Sequence, residues 1–450
     1  MKHLPPQPRH RYLRILLLFS SWKFILLSLA LLTPSPSYDT STSLILKASQ
    51  LGSGWAPVER LCEKLTRWDA IYFVKAAERG YINEQEWAFG WGFVQVVSGL
   101  ARALSFVGAD FGLEAPELHA LSGILIANIS HLLSTLVLYE TTLLVFKTPV
   151  EKAANMAFLT ACLHIISPAG LFLSAPYSES LFSLLSFTGS FLYIWSGQKL
   201  AGGSVFQSNT ATLASAVIFS ASCMVRSNGL LNGIIFLYDF VLETTAAVVG
   251  SNREPKNIFP RLLRIGVLGT GGLIIGLGMV PPQVIAWNDF CTGGNNRPWC
   301  SRTIPSIYFW VQDYYWNVGL FRYWTLPNIP LFLLAAPILV VMIVSGLWGA
   351  GVGSTVGIQA ASFERDIIRK LAFPQIVLAL LAITSYHVQI ITRLSSGYMV
   401  WYWWVACQMP AGGRVEERKE GADWPKRVVR YMVVYGVVQG VLFAGFLPPA

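Results

Sequence analysis

The sequence predicts an all-α protein built as a polytopic membrane bundle, and three observations carry that reading. The 450 residues are 54% hydrophobic and 13% charged, whereas soluble globular chains carry about 25% charged residues. Apolar runs recur along the chain with the length needed to cross a bilayer, about 20 residues. The basic residues collect in short loops beside those runs, the positive-inside pattern. That distribution, and not nucleic-acid binding, accounts for the formal charge of +9.

Lys2, Arg9, Arg11 and Arg14 place residues 1–14 in the cytosol. The run at 15–32 reads as a retained anchor, since it is long for a signal peptide and no A-x-A site follows it. Residues 33–92 form a large first lumenal loop. Residues 94–106 are short for a span and are assigned as a re-entrant or interfacial helix. Spans follow at 118–146, 156–173 and 181–195. Residues 210–248 are two helices broken near Arg226, and further spans lie at 265–287, 329–348, 371–391 and 428–447. The total is about 11 crossings. Basic stretches at 146–152, 196–203, 250–264, 363–370 and 412–427 face the cytosol. Residues 174–180, 226–229, 291–328 and 392–397 then share the lumenal side with the first loop; 291–328 is the second sizeable loop. With no repeat and no soluble module, residues 1–450 read as a single membrane domain.

Cys162, Cys223 and Cys407 fall in apolar segments, where a thiol behaves as a small hydrophobe. Cys291 and Cys300 bracket the polar stretch "CTGGNNRPWC". A disulfide is expected there if the loop faces an oxidising compartment; two free thiols fit the spacing as well. The sequon at Asn128 lies inside an apolar run, out of reach of glycosylation.

Ionisable groups at a membrane are costly and mark function by default, and four lumenal places qualify. In the first loop, Trp68, Tyr72, Lys75 and Arg79 recur at helical spacing, an aromatic face suited to the membrane surface. Asp69 sits on the less polar part of that helix, a general base for a bound hydroxyl, an ion-pair partner of Arg67, or a helix cap. In and beside "APYSES" (175–180), Ser174 and Ser178 are candidate caps, Tyr177 sits at the mouth of the bundle, and Glu179 is a cap or a site group. In "RSNG", Arg226 and Asn228 interrupt the apolar run, and irregular backbone at that depth lines a cavity or is buried. Arg226 is a phosphate ligand or a snorkelling side chain. His387 and Arg393 flank the end of an apolar helix, ahead of an aromatic belt at 398–404. No Asp-x-Asp, Walker A, Gly-x-Ser-x-Gly or His-Glu-x-x-His motif occurs, and the six histidines form no metal constellation. An enzyme acting on lipid-linked substrates and a transporter remain. A transporter with inverted repeats needs paired broken helices, and the sequence shows one break.

"RWDAIYFVKAAERGYINEQEWAFGWGF" (67–93) resembles the first lumenal loop of the GPI mannosyltransferase 2 family, in its fungal form. "SAPYSESLFSLLSF", "RSNGLLNG" and "HVQIITRLSSGYMVWYWW" resemble that family's later motifs in the same order. The resemblance implies a GT-C-type fold and transfer of the second mannose, in α-1,6 linkage. It implies dolichyl-phosphate mannose as donor, a mannosyl-GPI lipid as acceptor, and an inverting reaction at the lumenal face of the endoplasmic reticulum. It also implies a small membrane partner subunit; no cofactor and no metal are called for. By the same resemblance Asp69 is the catalytic carboxylate. Arg226, Arg393 and His387 would steady the departing phosphate; Trp68, Glu78, Glu84, Glu86, Tyr177, Glu179 and Asn228 would contact substrate, mainly through sugar hydroxyls. The family tends to read "AFFP" where this chain has Gly90, Trp91 and Gly92. A sister enzyme using a dolichyl-phosphate sugar on another acceptor is the alternative, ahead of a transporter.

Overall fold

The computed structural model describes residues 8–34, 37–46, 56–109, 112–147, 150–250, 258–292, 297–352, 362–409 and 423–448. Lys2, parts of both lumenal loops, residues 251–257 of the basic stretch at 250–264 and most of that at 412–427 lie outside them. The described residues contain helices and turns and no strand, as the composition predicts.

The chain opens with α1 (Pro8–Leu32), followed by α2 (Ala56–Leu65), α3 (Asp69–Arg79) and α4 (Trp91–Phe106). Then come α5 (Ala115–Val145), α6 (Val150–Ile165), α7 (Glu179–Ala201), α8 (Val205–Val225) and α9 (Gly233–Gly250). The second half holds α10 (Ile258–Leu277), α11 (Val280–Cys291), α12 (Ile307–Tyr314), α13 (Ile329–Ala350), α14 (Ser362–Thr384), α15 (Ile391–Leu394), α16 (Val400–Cys407) and α17 (Trp424–Ala444).

Eight helical segments among the described residues are long and apolar enough to cross a membrane. They are α1, α5, α8, α9 with the turn before it, α10 and α11 as one bent segment, α13 with its leading turn, α14 and α17. α7 is 23 residues long yet is not among them. Its serines at 180, 183, 186, 190 and 196 are buried, because α7 lies between α5 and α8 and meets protein on its polar face. Gly189 lets the Phe219 ring of α8 against the α7 backbone, and Ser215 donates to the Gly189 carbonyl at 2.7 Å. Small residues at such contacts replace the hydrophobic driving force that lipid removes. α6 stops at Ile165, short of the expected 173, because Pro168 disfavours helix in the residue before it.

The break near Arg226 falls where the sequence places it: α8 ends at Val225, and a tight turn, Ser227–Asn232, leads into α9. A second interruption, at Gly278–Met279 between α10 and α11, was not legible. Pro281 and Pro282 cannot donate to the preceding turn, and the Gly278 backbone packs on the Ser220 carbonyl, where a Cβ would sit 2.3 Å away.

α3 is not a free interfacial helix. Ala70, Phe73, Val74 and Ala77 are buried, and it packs against α4 and α5. The aromatic run at 398–404 is likewise internal and not a surface belt: Trp401, Tyr402 and Trp403 have no exposure. The Trp403 indole donates to Thr142 Oγ1 at 2.9 Å and that of Trp401 to the Ser395 carbonyl at 2.9 Å, so burial leaves neither of these two indole N–H groups unpaired.

Candidate active site

One cavity of about 450 Å³ lies at the end of the bundle where the four polar stretches converge, within the usual size for a ligand site. Trp68, Asp69, Tyr177, Arg226, Asn228, His387 and Arg393 all line it. Residues separated by hundreds of positions thus meet in one place.

The geometry starts at Trp68. This residue has φ 54° and ψ −126°, a costly backbone for a side chain with a Cβ, and such strain clusters at functional sites. Its indole stacks on Phe446 with ring centroids 4.9 Å apart. The strained turn starts α3 at Asp69 and aims that carboxylate at the cavity. Asp69 Oδ2 receives a hydrogen bond from Arg393 Nη2 at 2.7 Å. Arg67 is not its partner: the Arg67 guanidinium is buried and contacts Glu63 at 3.1 Å and Ser37 Oγ at 2.7 Å.

Arg393 comes from the short helix α15. Its Nε is 3.2 Å from Glu179 Oε1, and the same oxygen lies 2.7 Å from Arg226 Nη1. Burial works against the Arg393 charge, but the carboxylates of Asp69 and Glu179 outweigh it and raise its pKa further above the ordinary value. The guanidinium also lies over the rings of Phe172 and Tyr177, at 5.0 and 5.2 Å. Four alternating charges therefore run Asp69, Arg393, Glu179, Arg226. Arg226 is built into the site and does not snorkel.

Neither Ser174 nor Ser178 caps a helix with its side chain. Ser178 Oγ accepts from Arg226 Nη1 at 3.0 Å, and Ser174 Oγ accepts from Lys23 Nζ at 2.7 Å. The Tyr177 hydroxyl donates to the Arg67 carbonyl at 3.2 Å, joining the second stretch to the first; burial pushes its pKa well up. Asn228 donates to the Tyr398 hydroxyl at 3.2 Å. His387 Nε2 lies 2.8 Å from the Trp316 carbonyl and its ring stacks on Tyr323 at 4.8 Å, so it braces the cavity wall.

Four expected site residues are placed elsewhere. Glu78 pairs with Lys75 at 2.9 Å. Glu84 accepts from Trp299 Nε1, Trp310 Nε1 and the Tyr315 hydroxyl at 3.0, 3.2 and 3.1 Å, and pairs with Arg297 at 3.2 Å. Glu86 takes Arg79 at 2.6 Å together with the amides of Ile82 and Asn83. Glu78 pairs within α3, Glu84 ties the first loop to residues 297–315 and Glu86 holds the first loop to itself; none of the three lines the cavity. Glu179 is 1% exposed and sits behind the arginines. Cys291 and Cys300 are joined in a disulfide, with Cα atoms 5.6 Å apart, which resolves the choice the sequence left open.

The sequence reading missed Tyr308, Gln312 and Trp316, which line the cavity from α12 and the turn after it. Their four-residue spacing was the available signal, hidden within a run of aromatics. Gln283 on α11 and Tyr435 on α17 also line it, with no local signal. Gly90 and Gly92 seat the first loop directly on the end of α8: a Cβ on Gly90 would lie 1.8 Å from the Val225 carbonyl oxygen.

Several known proteins are similar to this chain. A GPI mannosyltransferase 2 of Chaetomium globosum is 42% identical over 98% of this chain and 97% of its own length. One of Aspergillus oryzae is 40% identical, covering 96% and 95%. Among solved structures, the Archaeoglobus fulgidus oligosaccharyltransferase aligns with 96% of this chain at 12% identity and a TM-score of 0.48. This chain spans about half of that protein, 55%. Residues 13–450 match the model of the Mannosyltransferase (PIG-V) family, and with relatives this similar along their whole lengths, the chain belongs to that family of multi-pass membrane mannosyltransferases.

Proposed function

We propose that the chain adds the second mannose, in α-1,6 linkage, to a mannosyl-GPI precursor, using dolichyl-phosphate mannose at the lumenal face of the endoplasmic reticulum. The observation that carries this reading is Asp69, anchored by Arg393 at 2.7 Å on the wall of a cavity that also presents Arg226. The names of the similar fungal proteins support the GPI acceptor. The fold is of GT-C type, and a small membrane partner assists.

In the inverting reaction, Asp69 Oδ1 accepts the proton of the acceptor hydroxyl as its oxygen bonds to C1 of mannose. The bond from C1 to the phosphate oxygen breaks, and its electron pair leaves with dolichyl phosphate. Arg393 has two tasks: it fixes the rotamer of the base through Oδ2, and its remaining N–H groups, with those of Arg226, stabilise the phosphate by charge-assisted hydrogen bonds. Phe172 and Tyr177 hold the Arg393 plane, and the aromatic walls exclude water.

The test is mannosyl transfer in microsomes lacking the second GPI mannosyltransferase, comparing the wild type with Asp69→Asn. Wild type restores the two-mannose GPI lipid, and the variant, which keeps the shape but not the base, is slower by about 10²–10⁴-fold. An active Asp69→Asn enzyme removes Asp69 as the base. A wild type that transfers nothing with its partner present removes the acceptor assignment.

A further inference from the structure

Glu179 is the least exposed member of the charge chain and does not touch the cavity. Arg226 and Arg393 approach the same oxygen, at 2.7 and 3.2 Å, yet neither Glu179 oxygen accepts a hydrogen bond of good geometry. The contacts are therefore charge against charge. The arginines are oriented by other groups: Arg226 by Ser178 Oγ at 3.0 Å, Arg393 by Asp69 and the rings of Phe172 and Tyr177.

We propose that Glu179 is a positioning residue that sets how tightly Arg226 and Arg393 hold an anionic phosphate, keeping the grip weak enough for the phosphate to depart. This deepens the reading of the site given above and rests on it. With Glu179 ionised, the two carboxylates and two guanidinium groups sum to zero charge. Without it the site carries one net positive charge in a poorly solvated place, where charges act over short distances with little screening. Because Glu179 takes up no well-directed N–H, it lowers the electrostatic attraction and leaves for the ligand the guanidinium N–H groups that Ser178 and Asp69 do not take. With one arginine left uncompensated in this half-buried place, the pair would bind a lipid phosphate and keep it, which lowers turnover instead of raising it.

The experiment uses full-length protein with its partner in lipid bilayers and reads mannosyl transfer at rising concentrations of added dolichyl phosphate. Glu179→Gln keeps the shape and removes the charge. The inhibition constant of dolichyl phosphate is expected to fall by about ten- to a hundredfold, with kcat reduced and the acceptor KM unchanged. Glu179→Asp, which keeps the charge, stays near the wild-type inhibition constant. Should Glu179→Gln fail to accumulate, Arg226→Gln removes a cation instead and raises the constant by a similar factor. An active wild type whose inhibition is indifferent to Glu179→Gln, or a Glu179→Asp that behaves like Glu179→Gln, overturns the proposal alone. A wild type that neither transfers mannose nor responds to dolichyl phosphate overturns the functional reading and the proposal with it.

Discussion

Arg393 Nη2 lies 2.7 Å from Asp69 Oδ2, although 324 positions separate the two residues in the chain. The contact joins the strained start of α3 to the short helix α15, so the carboxylate is aimed from both ends of the sequence. Arg393→Gln removes that partner and half of the cationic grip. Transfer is expected to fall by about 10²–10³-fold, the loss typical of one preorganised donor. Arg393→Lys is expected to recover little of it, because a point charge cannot reach Asp69 and the phosphate at once. Kinetics on variants of normal abundance check this, and a Lys variant close to wild type would show that charge alone suffices.

Gly90 packs on the carbonyl of Val225, the residue before Arg226. A Cβ there would come within 1.8 Å of the oxygen, so Gly90→Ala must push the first loop off α8 and tilt Arg226. The expected cost is about 1–3 kcal/mol of stability, with a loss of transfer. Gly99, within α4, meets nothing inside 4 Å, and Gly99→Ala is expected to be neutral or to stabilise by about 0.5–1 kcal/mol. Melting temperatures of the two variants in detergent separate a steric effect from a general glycine effect.

The convergence of the four polar stretches was legible because each is a local anomaly: ionisable groups beside apolar runs, and a break at Arg226 in a chain otherwise fit for lipid. The roles of individual groups were not. Glu84 and Asp69 look alike in sequence, but one meets Trp299 and Trp310 from a distant loop and the other meets Arg393. Trp401 and Trp403 read as a surface belt because their partners, Ser395 and Thr142, are visible only once the helices are packed. α12 was missed for the opposite reason: its cavity-lining spacing is present but submerged in other aromatics.

The Cys291–Cys300 disulfide closes the turn that carries Trp299, whose indole donates to Glu84 at 3.0 Å. Breaking it frees a short loop, a loss of about 2–3 kcal/mol by chain-entropy reasoning. It also loosens the wall formed by Tyr308 and Trp316. Reductant is expected to lower the melting temperature of the wild type and not that of the Cys291→Ser, Cys300→Ser double variant. Equal sensitivity of the two proteins would place the effect elsewhere.

Glu86 links stability to pH. Burial works to raise its pKa, but Arg79, the backbone and side-chain N–H groups of Asn83 and the backbone amide of Ile82 outweigh it and hold the pKa below the usual 4.5. The folded protein therefore binds fewer protons at this group than the unfolded chain does. Its stabilising contribution is complete above pH 4.5 and is lost as pH falls through the depressed folded value. Melting temperatures between pH 6 and about 3 are expected to drop more steeply for the wild type than for Glu86→Gln, which has no proton to take up there. Parallel curves would mean that the acid limb belongs to other carboxylates.

Lys23 makes the last case, because it lies in the membrane-spanning helix α1 yet is buried against protein. Its ammonium donates to the Leu173 carbonyl at 2.8 Å and to Ser174 Oγ at 2.7 Å. Asn128 of α5 and Ser180 of α7 bind the same two residues, through the Ser174 and Leu173 carbonyls at 3.2 Å each. Three helices thus fix the segment that runs on into Tyr177, Ser178 and Glu179. A lysine in this place is expensive to bury, and its two hydrogen bonds to the segment offset part of that cost. Lys23→Met fills the space and removes the donors, leaving the Ser174 hydroxyl without that donor and the Leu173 carbonyl with Ser180 alone, at a cost of about 1–3 kcal/mol. The expected outcome is a folded but less stable protein in which kcat falls more than KM rises, because the displaced segment carries the groups that orient Arg226 and Arg393. Ser174→Ala, which removes one of the two contacts, is expected to show a smaller shift in the same direction. A Lys23→Met protein with unchanged kcat would show that α5 and α7 hold the segment without α1.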